Sequence, residues 1–270
     1  MDQERVCATD SKIQERPMTP PQSTTAAVLI IGNEILSGRT GDANLRHIAT
    51  QLAALGVRLC EARVVRDDEA AIVAAVNALR AAYDYVFTTG GIGPTHDDIT
   101  SAAVAKAFGV KLERNPAAEQ RLLRHYRPED LNPARLRMAD LPVGATLIDN
   151  PISQAPGIRV GNVFVLAGVP RIMQAMFDAL RPLLEGGAPL LSHALGLYVA
   201  EGVIAAGLGA VQARHDDVEI GSYPFYRRDR LGTVIVARGT DRAVLAAAIA
   251  EVRSLAESLG AEIGEEEPPE

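Results

Sequence analysis

A chain of 270 residues, 47% of them apolar and 23% charged, is long enough to bury a substantial core as one large domain or two smaller ones. The 27 basic and 34 acidic residues leave a net charge of −7, which argues against a protein built to coat nucleic acid or an anionic membrane. Cys7 and Cys60 are too few for a disulfide scaffold or a four-cysteine zinc site, and no apolar run approaches the ~20 residues of a membrane span, so a cytoplasmic protein is expected.

Residues 1–25 carry charge, three prolines and no apolar signal core, and are expected to form a disordered tail, with Met18 offering an alternative start. Ala26–Ile31 is a short apolar run stopped by Gly32, the pattern of a strand buried on both faces. Ala43–Leu55 places Leu45, Ile48, Leu52 and Leu55 at helical spacing, with Gly56 where a C-terminal cap belongs. Val57–Val65 reads as a second strand and Glu69–Ala82 as an amphipathic helix. Tyr85–Thr88 is a third strand, and Ile99–Phe108 a helix ending at Gly109. Helices follow over Ala117–Tyr126 and Pro133–Met138, strands over Gly144–Ile148 and Asn162–Ala167, and a helix over Pro170–Leu184 with proline in its first turn.

This alternation predicts an α/β domain over residues 26–185: a three-layer, mostly parallel sheet with helices on both faces. Glu185–Pro189 is a candidate linker. Beyond it, strand (His193–Ala200), helix (Gly202–Ala213), two strands (Val218–Tyr223, Leu231–Arg238) and helix (Arg242–Leu259) predict a small α+β domain over 190–262, structural or regulatory in role. Residues 263–270 form an acidic tail.

The chemistry concentrates in Thr89-Gly90-Gly91-Ile92-Gly93-Pro94-Thr95-His96-Asp97-Asp98-Ile99-Thr100, between a strand and a helix. Ligands of open α/β sheets bind at the carboxyl ends of strands. Gly90, Gly91 and Gly93 let the backbone turn sharply and present consecutive amides, which together with a helix N-terminus suit an anion. A carboxylate beside a bound phosphate is tolerated when a cation lies between them, so Asp97 and Asp98 suggest a divalent metal, magnesium, manganese or cobalt, bridging to substrate oxygens. Adjacent helical positions face different ways. One aspartate is therefore expected at the metal and the other as a cap of the following helix, with the assignment open. The plainer reading is a tight turn in which an aspartate only caps. His96 stays on the list because of its loop.

A second polar loop, Gly32–Asn44, follows the first strand and should lie at the same sheet edge. Arg39 suits a phosphate oxygen; Glu34 and Asp42 suit a metal or a water. Asp42 equally suits a cap for the helix at Ala43, and Asp67 is expected to cap the helix at Glu69. The named phosphate loops, the G-x-S-x-G elbow and H-E-x-x-H are all absent, and only Lys12, Lys106 and Lys111 are lysines.

The strings Gly32-Asn33-Glu34-Ile35-Leu36-Ser37-Gly38, Asp42-x-Asn44 and Thr89-Gly90-Gly91-x-Gly93-Pro94-Thr95-x-Asp97-Asp98-x-Thr100, with Asn150-Pro151, Ala155-Pro156-Gly157, Gly168-Val169-Pro170 and Ile220-Gly221-Ser222-Tyr223-Pro224, resemble the molybdenum-cofactor-biosynthesis (molybdopterin-binding) domain family. Within it they are most similar to the competence/damage-inducible protein A branch and to the N-terminal half of eukaryotic FAD synthase. The resemblance runs from Ala26 to about Leu259. It implies an oligomeric α/β protein that binds the phosphate end of a pterin or dinucleotide. It adds Asn33, Ser37, Asn44, Thr95, Thr100 and Pro170 to the ligand-binding candidates, beside the catalytic candidates Asp97, Asp98 and Glu34. It also implies one of three activities: divalent-metal-dependent cleavage of pyrophosphates such as ADP-ribose or FAD, molybdopterin binding or adenylyl transfer, or ligand binding without turnover. The chain ends before the amidase domain of competence-type proteins and the synthetase half of FAD synthase, so neither activity is expected. Ser153-Gln154 stand where the bacterial pattern often has Gly-Thr, which leaves the substrate open.

Overall fold

A computed structural model describes residues 24–227 and 229–264. The terminal segments, including Cys7, Met18 and most of the expected tails, lie outside the described residues. The first part contains β1 (Thr25–Ile31), α1 (Asn33–Leu36), α2 (Asn44–Ala54), β2 (Arg58–Val65), α3 (Glu69–Ala82), β3 (Tyr85–Thr89), α4 (Thr100–Phe108), β4 (Leu112–Arg114), α5 (Pro116–His125), α6 (Pro133–Leu136), β5 (Asp140–Pro142), β6 (Thr146–Ile148), β7 (Gly157–Val160), β8 (Val163–Leu166) and α7 (Pro170–Leu180).

Six of these strands form one sheet in the order β2-β1-β3-β8-β7-β6. β2, β1, β3 and β8 run parallel, whereas β7 pairs antiparallel with both β8 and β6 and alone runs against the rest, so the sheet is mixed. The sequence reading assigned no strand over β7; β4 and β5, three residues each, pair as a separate ribbon. β1 alternates its burial between the two faces. Ala27, Leu29 and Ile31 pack with Ile72, Val76, Leu79 and Val104 from α3 and α4. Ala26, Val28 and Ile30 pack with Ile48, Leu52, Met173, Met176 and Phe177 from α2 and α7. A strand covered on both faces has no polar side, which is why its sequence is a continuous apolar run.

The chain order matters for the site. β1 leads to β2 on one side and the chain then returns to pair β3 on the other. That reversal leaves a crevice at the carboxyl ends of β1 and β3, where loops from both strands emerge.

The second part is β9 (Leu191–Tyr198), α8 (Glu201–Gln212), β10 (Val218–Arg227), β11 (Arg230–Gly239), α9 (Arg242–Ser258) and β12 (Glu262–Ile263). Its antiparallel sheet has the order β10-β11-β9-β12, a βαββαβ arrangement. Leu195, Leu197 and Ile235 pack under Ile204, Leu208, Val211 and Val252 of the two helices. No helix among the described residues is long and apolar enough to cross a membrane.

Candidate active site

Three carboxyl-end loops converge. After β3 the chain turns at Gly90 (φ +102°) and Gly91 (φ +67°), conformations that disfavour any side chain. Space demands glycine as well: a Cβ on Gly90 would stand 2.1 Å from the carbonyl oxygen of Ile31, and one on Gly91 2.2 Å from Thr100 Oγ1. Gly168, after β8, packs against Gly90, where a Cβ would lie 3.2 Å from the Gly90 Cα. The glycine loop is thus wedged between the ends of β1 and β8.

Thr100 is fully buried, its hydroxyl donating to the Gly90 carbonyl at 2.9 Å and its amide to the Gly91 carbonyl at 3.0 Å. It shapes the loop from beneath; the expected ligand contact is not where its hydroxyl points. The amides of Gly91, Ile92 and Gly93 donate to no acceptor among the described residues. These are the consecutive free donors that the glycine spacing suggests.

Asp98 braces the far side of the loop. Its Oδ2 accepts from the Thr95 amide at 2.8 Å and the Thr95 hydroxyl at 2.5 Å, and lies where a Gly93 Cβ would come within 2.6 Å. Neither aspartate caps α4, whose N-cap Ile99 has no side-chain bond; the expected helix cap is instead a turn brace. Asp97 projects outward, its side chain 56% exposed, with His96 Nδ1 3.9 Å from its Oδ1. The nearby Thr95 hydroxyl and then its own amide hold the Asp97 carboxyl below the ordinary aspartate range, with a smaller pull from His96.

The loop after β1 carries Asn33, Glu34, Ser37, Arg39, Asp42 and Asn44. The Glu34 carboxylate folds back over Gly32, so that a Cβ there would stand 2.7 Å from Oε1. Ser37 donates to the Glu34 carbonyl at 3.1 Å, and Arg39 is exposed. Asp42 Oδ2 accepts from the Leu45 amide at 2.8 Å, the capping role weighed for it. Asp67, expected to cap α3, does something else: its Oδ2 accepts from the Asn33 amide at 2.8 Å, while Asp68 caps α3 through the Ala71 amide. The register of β2 beside β1 sets this exchange, and a one-residue ambiguity in Asp67-Asp68 hid it from sequence reasoning.

Asn44 Nδ2 donates to the Gly168 carbonyl at 2.8 Å, tying α2 to the third loop, and Pro170 occupies the first turn of α7 there. Arg137 was not singled out in the sequence; its Nη2 donates to the Pro94 carbonyl at 2.9 Å and brings a cation to the glycine loop. The two stand 43 positions apart in sequence, so no local spacing signals that contact. Among the described residues no group of three or more His, Cys, Asp or Glu side chains is arranged to hold a metal on its own.

Residues 27–186 match the family model described as a probable molybdopterin binding domain. The chain belongs to this family. Residues 189–261 match the FAD synthase middle domain, so the βαββαβ part of this molybdopterin-binding-family chain also has a family counterpart. A CinA-like protein of Desulfosudis oleivorans is 41% identical over 159 residues, covering 57% of this chain and 38% of that protein. A probable FAD synthase of Caenorhabditis elegans is 33% identical over 261 residues, covering 87% of this chain and 50% of that one. The chain therefore spans half or less of these two relatives. The crystal structure of the protein CinA, of unknown function, from Thermoplasma acidophilum superposes with a TM-score of 0.57 at 36% identity, over 59% of this chain and 97% of that one.

Proposed function

We propose that this chain is a divalent-metal-dependent hydrolase of nucleotide phosphoanhydrides, of the ADP-ribose or FAD class. The observation that carries the reading is the run of free amides at Gly91, Ile92 and Gly93 beside the exposed carboxylate of Asp97. Amides fixed before the substrate arrives hold phosphate oxygens without reorganisation, the most effective form of charge stabilisation. Arg137, anchored on Pro94, adds positive charge at the loop. Glu34, on the neighbouring loop, takes the proton of the attacking water.

The donor set suits a metal that arrives on the substrate. A magnesium-type ion needs only one or two protein carboxylates when phosphate oxygens and waters complete its shell. Asp97 and the Oδ1 of Asp98 would hold it, and its chemistry there is neutralisation of the phosphate charge. Asp98 stays fixed by Thr95 while it does so, and Thr100 keeps the amide run in shape.

A second reading, binding or adenylylation of molybdopterin, draws on the family description of residues 27–186, since the same amides suit a pterin phosphate. One experiment separates the two. Purified chain is incubated with FAD and with ADP-ribose, with magnesium, manganese or cobalt, and AMP is measured against Asp97→Ala. Release of AMP by the parent alone supports hydrolysis. AMP no higher than in the variant, together with micromolar binding of molybdopterin, rejects hydrolysis in favour of the second reading.

A further inference from the structure

Among the described residues, the buried side-chain oxygens of Asn44, Thr88 and Thr89 beside the glycine loop have no partner. Strand alternation turns Thr88 to the far face, leaving those of Asn44 and Thr89 on one side of the sheet. Asn44 is 4% exposed, and its Oδ1 receives no donor. Thr89 is 1% exposed, and its Oγ1 is likewise unpartnered. Within β3, Tyr85 and Phe87 pack toward α2 and α7, so strand alternation puts Thr89 on that side too, where Asn44 opens α2. Both residues adjoin the same backbone. Asn44 grips Gly168, Gly168 packs against Gly90, and Gly90 follows Thr89 in the chain.

The carboxamide has no freedom to turn its oxygen elsewhere. The Gly168 carbonyl only accepts, so the amide nitrogen must face it and Oδ1 must face the other way. Buried polar atoms in folded proteins are nearly always paired, which makes two orphans at the edge of one site informative. Phosphate does not satisfy them: an ionised phosphate oxygen brings no proton to an amide oxygen. A hydroxyl answers both, giving its proton to Asn44 Oδ1 and accepting from the Thr89 hydroxyl. A sugar hydroxyl lies only a few bonds from its phosphate, and Thr89 stands two residues before the first free amide, that of Gly91.

We infer that Asn44 and Thr89 read a sugar hydroxyl of the bound nucleotide, so that the site favours a ribonucleoside diphosphate over inorganic pyrophosphate. This rests on the phosphate-binding part of the function proposed above and names what flanks the phosphate.

Calorimetric titration of the full chain with ADP, 2′-deoxy-ADP, 3′-deoxy-ADP and inorganic pyrophosphate tests it. ADP is expected to bind about tenfold or more tightly than pyrophosphate and than one of the deoxy analogues. Asn44→Ala and Thr89→Val are each expected to weaken ADP about tenfold while leaving that analogue within twofold of the parent. Thr89→Val also controls for folding, because removing an unpartnered buried hydroxyl leaves the unfolding midpoint unchanged or higher. Failure of ADP to bind, an equal loss for ADP and both deoxy analogues, or a Thr89→Val chain that binds ADP like the parent overturns the inference. Hydroxyl-dependent binding without phosphoanhydride cleavage supports it and rejects the hydrolase; cleavage without hydroxyl dependence does the reverse.

Discussion

The hydroxyl of Thr100 donates to the carbonyl of Gly90 across ten residues of sequence, and this 2.9 Å bond closes the glycine loop onto the start of α4. Both groups are out of water, so the bond has no solvent substitute. Thr100→Val keeps the shape and removes the donor. It should cost about 1–3 kcal/mol, the penalty of leaving a buried carbonyl unpaired. Thr100→Ser should recover most of that loss. Urea unfolding of the two variants measures both.

The glycines of the loop differ from an ordinary helix-ending glycine in what a side chain would meet. Gly109, at the end of α4, has φ +66° and open space around it, so Gly109→Ala should cost about 1 kcal/mol from backbone strain alone. Gly90→Ala drives a methyl group to 2.1 Å from the Ile31 carbonyl, which ends β1, a strand paired on both sides with β2 and β3. That variant should unfold at markedly lower temperature or fail to accumulate as folded protein. Equal melting temperatures for Gly90→Ala and Gly109→Ala would show that the close approach is relieved at little cost.

Asp97 and Asp98 should separate when they are replaced one at a time. Asp97 is exposed and lies outside the Asp98–Thr95 brace, so Asp97→Ala should leave stability within about 0.5 kcal/mol of the parent, as for most surface changes. Its turnover of a phosphoanhydride should fall on the order of 10²–10³, the scale of losing one preorganised charge-stabilising group. Asp98→Ala removes two bonds to Thr95 and should lower both stability, by about 1–2 kcal/mol, and turnover. Matched thermal melts and AMP-release assays would expose any other pattern, such as equal stability losses at both positions.

Acid stability should depend on a residue far from the site. Asp84 accepts from the Thr25 amide at 2.8 Å and the Thr25 hydroxyl at 2.7 Å, and these bonds hold its carboxyl below the ordinary aspartate value. A group with a depressed folded value adds stability that is complete above the unfolded value of about 3.9 and fades as pH falls through the folded one. The unfolding midpoint of the parent should therefore drop more steeply below about pH 4 than that of Asp84→Asn. Parallel pH titrations in which both chains lose stability alike would assign the acid sensitivity to other carboxylates.

Much of this protein was legible because its elements carry strong local signals. The apolar run before Gly32, the helical spacing of Ile48 and Leu52, and the left-handed glycines at 56 and 109 each appear at or within a residue or two of their expected places. Three-residue strands such as β4 and β5 escaped, since a period of two has no room to declare itself over so short a span.

The sequence alone determined the layered α/β architecture, the two-part organisation and the location of the glycine loop between β3 and α4, because hydrophobic period and glycine spacing act over a few neighbouring residues. Only the tertiary structure decided the partners. Asp67 went to Asn33 and left the capping of α3 to Asp68, Asp98 went to Thr95 and left α4 uncapped, and Arg137 reached Pro94 across 43 residues. Strand register and the crossing of β1 set those pairings. The Asp67–Asn33 and Arg137–Pro94 contacts join segments 34 and 43 positions apart, and local preference carries no information about which surfaces will meet.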